Sequence, residues 1–217
     1  MNNRRRFTLA AVASLFIPAS HAGANDRPSP GPGLGDGPGR GDLKPFLSIG
    51  DFKEDRQKVF FFFSYGCPYC AQHWRAISAW GASLPKGWSL VKVPVLLTDD
   101  ASRAAAIAFY AVLKQMPTRI MEFEEHAYRA GMPQDPTVYA KILRAMGIVV
   151  DPSYVRGDAF KLAVTRNLQL TQRYQVQVTP HFGIGGLWAT NSNFTNGDYA
   201  VLMRLINGLI SQQIENP

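Results

Sequence analysis

The sequence predicts an α/β domain that carries a large helical insertion, and three observations lead to that fold class. Residues 59–64 hold four consecutive phenylalanines in a short apolar run, which is typical of a strand buried on both faces. Pro68, just after this run, marks the start of a helix. Four helical segments then fill most of residues 99–174, before two short apolar runs and a last helix complete the pattern.

The order of elements is therefore strand, helix, strand, helical insertion, hairpin and helix. The first helix is predicted to run from Pro68 to about Leu84, because apolar residues recur there at three- and four-residue steps. Residues 90–97 alternate as a second strand, parallel to the first because a helix connects them, and Pro94 indicates an edge or a bulge. The remaining predicted elements are helices at 104–116, 118–129, 137–146 and 158–174, a hairpin of 178–184 with 187–189, and a helix at 197–212.

The composition limits the class of protein. Hydrophobic residues make up 46% of the 217 positions and charged residues 18%, which provides a sizeable core and excludes a wholly disordered chain. The formal net charge is +7, but three of the positive charges are Arg4, Arg5 and Arg6, in a segment predicted to be removed. The charge that remains gives little support for a nucleic-acid partner.

The first 41 residues are predicted to lie outside the folded domain. Residues 1–22 have a basic start, an apolar stretch and small residues at the cleavage positions, as a secretory signal peptide does. The apolar stretch is too short to span a bilayer. Residues 23–41 contain 11 Gly or Pro residues and are predicted to be an extended linker. The folded domain is expected at residues 42–217.

Cys67 and Cys70, the two cysteines of the chain, form a Cys-x-x-Cys pair at the predicted junction of strand and helix. The first sulfur is expected to face unpaired backbone N–H groups and the positive end of the helix dipole, which favour a thiolate. Cys67 is therefore the predicted nucleophile, with a pKa below that of a free cysteine. Cys70, one turn further on and more buried, is the predicted resolving thiol. Pro68 stiffens the turn.

Other roles for the two cysteines are less well supported. A static disulfide is an alternative, but a stabilising disulfide gains from closing a long loop and this loop is minimal. A metal site would have to draw on His73, His126 and His181, and covalent haem attachment needs a histidine where Ala71 stands. We therefore expect no metal and no cofactor, and His73 is predicted to face solvent.

Thr179-Pro180, in the predicted hairpin, is the second motif. Proline cannot donate to a sheet ladder, and the tight geometry suits a cis bond. In that geometry the backbone of Thr179 could approach the cysteine pair and bind an incoming substrate strand. On the residues alone, an ordinary trans proline at a strand edge is an equal alternative.

Three features together resemble the DsbA family of bacterial periplasmic thiol:disulfide oxidoreductases. They are the run Phe63-Ser64-Tyr65-Gly66-Cys67-Pro68-Tyr69-Cys70, the helical insertion, and the run from Val178 to Gly186 that contains Thr179-Pro180. The resemblance implies a thioredoxin fold with a helical insertion domain. It also implies a nucleophilic Cys67, a resolving Cys70 and a cis Pro180 facing them, with Pro68, Tyr69 and Thr179 supporting the site.

The chain departs from well-known family members at two places. Tyr69 stands where they have histidine, and Phe61 stands where they have a buried acid. Loss of the imidazole should make the disulfide a weaker oxidant, whereas loss of the acid removes a group that repels the thiolate. The two changes oppose each other. Lys92 is expected beneath the active site, as a lysine is in the family.

The resulting interpretation is a periplasmic enzyme that exchanges disulfides with cysteine pairs of secreted proteins, and in particular donates them. The expected partners are reduced secreted polypeptides and, by resemblance, a quinone-linked membrane protein that reoxidises the enzyme. A monomer is expected, with no nucleic acid and no stable membrane insertion. The alternatives are a disulfide isomerase or reductase, some of which share Cys-Pro-Tyr-Cys, and a non-catalytic thioredoxin-fold chaperone or binding protein.

Overall fold

The protein was analysed as a computed structural model that describes residues 44–216. The predicted signal peptide (1–22) and linker (23–41) lie outside the described residues. In the described part, the strands are β1 (Leu47–Ser48), β2 (Lys58–Phe63), β3 (Ser89–Pro94), β4 (His181–Ile184) and β5 (Trp188–Asn191). The helices are α1 (Pro68–Ala82), α2 (Asp100–Gln115), α3 (Ile120–Ala130), α4 (Thr137–Ala145), α5 (Pro152–Arg156), α6 (Asp158–Arg173) and α7 (Tyr199–Glu215).

The strands form one mixed sheet in the order β1-β5-β4-β2-β3. β2 pairs with β3 in parallel and with β4 in antiparallel orientation, and β5 pairs antiparallel with both β4 and β1. Helices α2 to α6 all lie in the chain between β3 and β4. The predicted α/β fold with a helical insertion is thus confirmed. Within residues 44–216, no helix is both long and apolar enough to cross a membrane.

β2 is the central element of the core, and its residues from Val59 to Phe63 are completely buried. On one face, Val59, Phe61 and Phe63 pack in a cluster with α1 and with α2 and α3 of the insertion. On the opposite face, Phe60 and Phe62 pack with Leu170 of α6 and with Tyr174. Burial of each phenylalanine contributes about 1.5–3 kcal/mol. The four phenylalanines therefore hold the elements on both faces of the sheet against β2, the strand that leads toward the Cys-x-x-Cys pair.

The first helix places its apolar residues as the sequence predicts. Cys70, Trp74 and Ile77 are buried, and Cys67 is the N-cap residue. Gly81 also faces inward, because a Cβ there would overlap the side chain of Leu90 in β3. The helix ends at Ala82, two residues before the predicted end.

Several predicted boundaries are wrong near prolines. β3 is an edge strand, as Pro94 indicates, but it ends at Pro94 rather than at residue 97. Residues 178–180 are outside the hairpin and β4 begins at His181, because Pro180 has no N–H to donate to the ladder. Pro152 occupies the first position of the short helix α5, which lies between the predicted helices 137–146 and 158–174.

Candidate active site

Cys67 lies at the N-terminus of α1 and is about half buried. Its Sγ accepts a hydrogen bond from the backbone N–H of Cys70 at 3.3 Å, in the manner of an N-cap side chain. The Cys67 thiol also donates to the backbone carbonyl of Thr179 at 3.1 Å. The site thus brings together the start of α1 and the segment before β4.

Cys70 is fully buried against the core, and both cysteines are free thiols. Hydrogen bonds from the Cys70 thiol and backbone amides outweigh desolvation and lower the pKa of Cys67 to about 6. Burial raises the pKa of the Cys70 thiol, and the neighbouring Cys67 raises it further. The two sulfurs therefore differ as a nucleophile and a resolving thiol should.

Thr179 and Pro180 lie beside this pair, in the segment that leads into β4. The peptide bond between them is cis, as the family resemblance implies, whereas the motif alone left cis and trans as equal alternatives. Pro180 is buried, while Thr179 is partly exposed and directs its carbonyl oxygen at Cys67. The Cys67 sulfur and the Thr179 backbone therefore lie side by side.

A groove of about 540 Å³ adjoins Cys67. Its walls are mainly apolar and come from the segment after β3, the loop between α3 and α4 and the segment before Pro180. They include Val95, Leu97, Met132, Val176 and Val178. Gly66 lines the same groove and lies so close to Met132 that a Cβ at position 66 would overlap the methionine side chain.

Comparison with known proteins agrees with this geometry. No family model matches the chain. The curated thiol:disulfide interchange proteins DsbA of Bordetella parapertussis and Bordetella bronchiseptica are each 24% identical to it over 164 residues, covering 71% of this chain and 76% of theirs.

Solved structures share the fold. Pseudomonas aeruginosa DsbA has a TM-score of 0.66 at 20% identity, covering 79% of this chain and 93% of its own. A DsbA from Klebsiella pneumoniae has a TM-score of 0.61 at 18% identity, covering 76% of this chain and 95% of its own. The chain is similar in sequence to DsbA thiol:disulfide interchange proteins and shares the fold of solved DsbA structures.

An aromatic contact beside the cysteines was not predicted from the sequence. Tyr69 lies between the two cysteines in the chain, and its ring is 4.6 Å from that of His73, centroid to centroid. His73 stacks in turn on Tyr199. The predicted solvent-facing histidine is therefore partly covered, because the N-terminus of α7 approaches α1 at this point.

A buried ion pair lies deeper, on the same side of the sheet as α1. Lys92 of β3 donates to the carboxylate of Glu124 at 2.6 Å and to the hydroxyl of Ser78 at 2.7 Å. The side chain of Glu124 is 1% exposed, and its second carboxylate oxygen has no hydrogen-bond partner in the structure. Burial raises the pKa of Glu124, and the ammonium group of Lys92 opposes that shift.

Because Phe61 stands where family members have a buried acid, we expected no buried acid near the active site, and Glu124 changes that expectation. Phe61 pairs in register with Lys92, so an apolar side chain does stand at that point of β2. A buried acid nevertheless approaches Lys92 from α3, in the insertion. The acid could not be assigned from the sequence, since a glutamate in a predicted helix is ordinarily exposed and only the packing of α3 buries this one.

His126 and His181, the other two histidines that a metal site would have to draw on, do not form a metal site with the cysteines. In residues 44–216 no group of three His, Cys, Asp or Glu side chains could hold a metal ion. His126 is exposed on α3. His181 is buried beside Asn191, and burial lowers its pKa to about 4, so the imidazole is neutral.

Proposed function

We propose that this protein is a periplasmic disulfide donor that oxidises cysteine pairs in secreted polypeptides. The observation that carries the proposal is the environment of Cys67, a half-buried N-cap cysteine whose thiolate is stabilised beside a buried Cys70. An oxidised enzyme whose reduced form has a stabilised thiolate gives up its disulfide readily, because the thiolate is a good leaving group and the dithiol form is favoured.

The proposed reaction starts from the disulfide between Cys67 and Cys70. A substrate thiolate attacks the Sγ of Cys67, the bond to Cys70 breaks, and Cys70 leaves as a thiolate that takes up a proton. The second substrate thiol loses its proton and attacks the substrate sulfur of the mixed disulfide, which releases Cys67 as a thiolate. Two electrons pass from substrate to enzyme, and the substrate leaves with a disulfide.

We assign the remaining predicted residues to binding and support. The backbone of Thr179 and the apolar groove beside Cys67 hold the substrate segment during the mixed-disulfide stage. Pro180 places the Thr179 carbonyl at the sulfur, and Pro68 and Tyr69 shape the turn between the cysteines. The functional domain in this proposal is residues 42–217, released from residues 1–22 after export.

The reduced cysteine pair must be reoxidised for turnover. We propose a quinone-linked membrane protein as the oxidant, which receives two electrons from the Cys67–Cys70 dithiol for each cycle. The support for this partner, and for the periplasmic location, is the similarity to DsbA proteins. An oxidising compartment is also the setting in which such a disulfide persists.

The test is disulfide transfer from the purified, oxidised protein to a reduced peptide that contains two cysteines. We expect stoichiometric peptide oxidation, and a mixed disulfide at position 67 when Cys70→Ser protein meets an activated peptide. Cys67→Ser should abolish both. His126→Ala, at an exposed position away from the site, is the matched control and should behave as the parent.

The equilibrium with glutathione decides the direction of exchange. A donor requires an equilibrium constant that favours the dithiol form of the enzyme relative to ordinary protein disulfides. A constant that strongly favours the enzyme disulfide would instead identify a reductase. Efficient rearrangement of a protein with scrambled disulfides by the reduced enzyme would identify an isomerase. The absence of any disulfide exchange would favour the non-catalytic binding protein.

A further inference from the structure

Three aromatic rings connect the active-site turn to the C-terminal helix. Tyr69, between the cysteines, is centred 4.6 Å from His73, and His73 is centred 4.2 Å from Tyr199 with the two ring planes only 2° apart. We call these three side chains the aromatic stack. It links the first turn of α1 with the first residue of α7.

The position of each ring follows from its helix. Tyr69 and His73 are four residues apart on α1, so their side chains lie on one face of the helix. Tyr199 is the first residue of α7, and Asp198 fixes this end by accepting a hydrogen bond from the N–H of Val201 at 2.9 Å. The stack therefore rests on a well-defined helix start.

Hydrogen bonding does not explain why the hydroxyl of Tyr69 is buried in the aromatic stack. The hydroxyl of Tyr69 is buried and has no hydrogen-bond partner in the structure, although its ring is only partly covered. An exposed tyrosine would keep its hydroxyl in water. The ring contacts with His73 thus hold Tyr69 in place at the expense of a hydrogen bond to its hydroxyl.

We propose that His73 and Tyr199 are positioning residues, which hold Tyr69 and the first turn of α1 in the arrangement that stabilises the Cys67 thiolate. The proposal rests on the proposed function, since it takes Cys67 as the nucleophile. It adds two residues to the site, neither of which touches the sulfur, and one of them belongs to the C-terminal helix.

The physical reason lies in the first turn of a helix. Its N–H groups have no partners within the helix, and these groups of Tyr69 and Cys70 are directed at the Cys67 sulfur. In the dithiol enzyme no covalent bond closes this turn. Side-chain packing therefore helps to keep the amides aligned, and the ring of Tyr69 is linked to a second helix, α7, through His73.

The same stack explains how a tyrosine can occupy the variable position between the cysteines. Its phenol cannot supply a positive charge to the thiolate, so its contribution has to come through backbone geometry. Because the ring of His73 contacts both Tyr69 and Tyr199, the backbone geometry of the turn depends on the position of α7. A second link between the helices, from the indole N–H of Trp80 to the side-chain carbonyl of Asn207 at 2.9 Å, lies at the other end of α1 and cannot replace it.

The experiment measures the pKa of Cys67 in the reduced full-length mature protein, from the ultraviolet absorbance of the thiolate against pH. We expect His73→Ala to raise that pKa and to reduce the thiolate population near pH 6 by about threefold to tenfold. Tyr199→Ala should have an effect of the same size. His73→Phe and Tyr199→Phe, which keep the stacked rings, should restore the parent value.

The glutathione equilibrium supplies a second readout. Both alanine variants should shift it by about threefold toward the enzyme disulfide, because the dithiol form has lost thiolate stabilisation. The double variant should equal either single variant, as expected of residues that act through one contact chain. His126→Ala, an exposed histidine of α3, is the matched control and should change neither quantity.

Two results would overturn the proposal: folded alanine variants with the parent pKa and equilibrium, or effects of His73→Ala and Tyr199→Ala that simply add. If His73→Ala does not fold, His73→Gln tests the same loss of stacking. A parent protein with a low Cys67 pKa but no peptide oxidation would refute the proposed function alone, because the thiolate titration requires no substrate.

Discussion

The carbonyl oxygen of Thr179 lies 3.1 Å from the Sγ of Cys67, although 112 positions separate the two residues in the chain. The sheet creates this proximity, because β2 leads directly to Cys67 and β4 begins one residue after Pro180. β2 and β4 are neighbours, with Phe62 opposite His181. The nucleophile and the proposed substrate-binding backbone are therefore held on adjacent strands of one rigid sheet.

The reactivity of the two thiols should differ strongly with pH. We expect the alkylation rate of Cys67 to rise with pH through a midpoint near 6, where its pKa lies, and to level off by pH 8. In Cys67→Ser protein, the buried Cys70 should react about a hundredfold more slowly than Cys67 does in the parent. Mass spectrometry of the labelled cysteine checks the assignment, and faster labelling of Cys70 would reverse the two roles.

The low pKa of Cys67 should also appear in stability. A folded pKa below the unfolded value gives a stabilisation that is complete above the unfolded pKa and is lost as pH falls through the folded pKa near 6. The reduced parent should therefore gain about 2 kcal/mol over Cys67→Ser between pH 5.5 and 8.5, after allowance for solvent screening at a half-buried group.

Urea unfolding of both reduced proteins across that pH range provides the measurement. Cys70 is present in both, and burial is the largest cause that raises its pKa, so its own titration nearly cancels in the difference. A pH-independent difference would mean that the fold does not stabilise the Cys67 thiolate.

Removal of the buried ammonium should be costly in a pH-dependent way. We expect Lys92→Met to lower the free energy of unfolding by about 3–5 kcal/mol, because Glu124 would remain buried without its partner. The pKa of Glu124 would then rise further. A raised carboxyl pKa favours the folded state below the unfolded pKa and costs stability as pH rises, so the loss should be smaller at pH 4 than at pH 7.

The matched control for this variant is Lys141→Met, which breaks an exposed pair with Asp135. Its effect should stay within about 1 kcal/mol. Equal effects of the two substitutions in chemical denaturation would show that the Lys92–Glu124 pair is not buried as described.

The groove beside Cys67 should select for apolar substrates. Met132→Asp places a charge in its wall, and we expect transfer to a peptide with apolar residues beside its cysteine to slow by about tenfold, equivalent to about 1.4 kcal/mol. Oxidation of glutathione, which is too small to fill the groove, should change less than about twofold.

Met121→Asp is the control for added charge, since Met121 is 42% exposed on α3. Stopped-flow measurement of both reactions gives the two rates for each variant. An equal loss with peptide and glutathione in Met132→Asp protein would indicate a disturbed Cys67 rather than a lost binding surface.

Features that depend on near neighbours in the chain could be predicted from the sequence. The apolar run of β2, Pro68 at the first helical position and the three-residue spacing of Cys67 and Cys70 are enough to place a thiolate at a helix start and a second thiol in the core. The helical insertion is visible too, because amphipathic helices carry their periodicity along the chain. Strand ends near Pro94 and Pro180 were less predictable, since neighbouring strands decide where pairing stops.

Tertiary structure alone decided which distant side chains meet. Glu124 has the spacing of an ordinary helical residue, and only the packing of α3 onto the sheet buries it against Lys92. The stacking of His73 on Tyr199 likewise depends on where α7 returns to α1, 126 residues later in the chain. Local spacing fixes the face on which a side chain lies, whereas the partner across that face is fixed by how the elements pack, and a single sequence contains no direct signal of that packing.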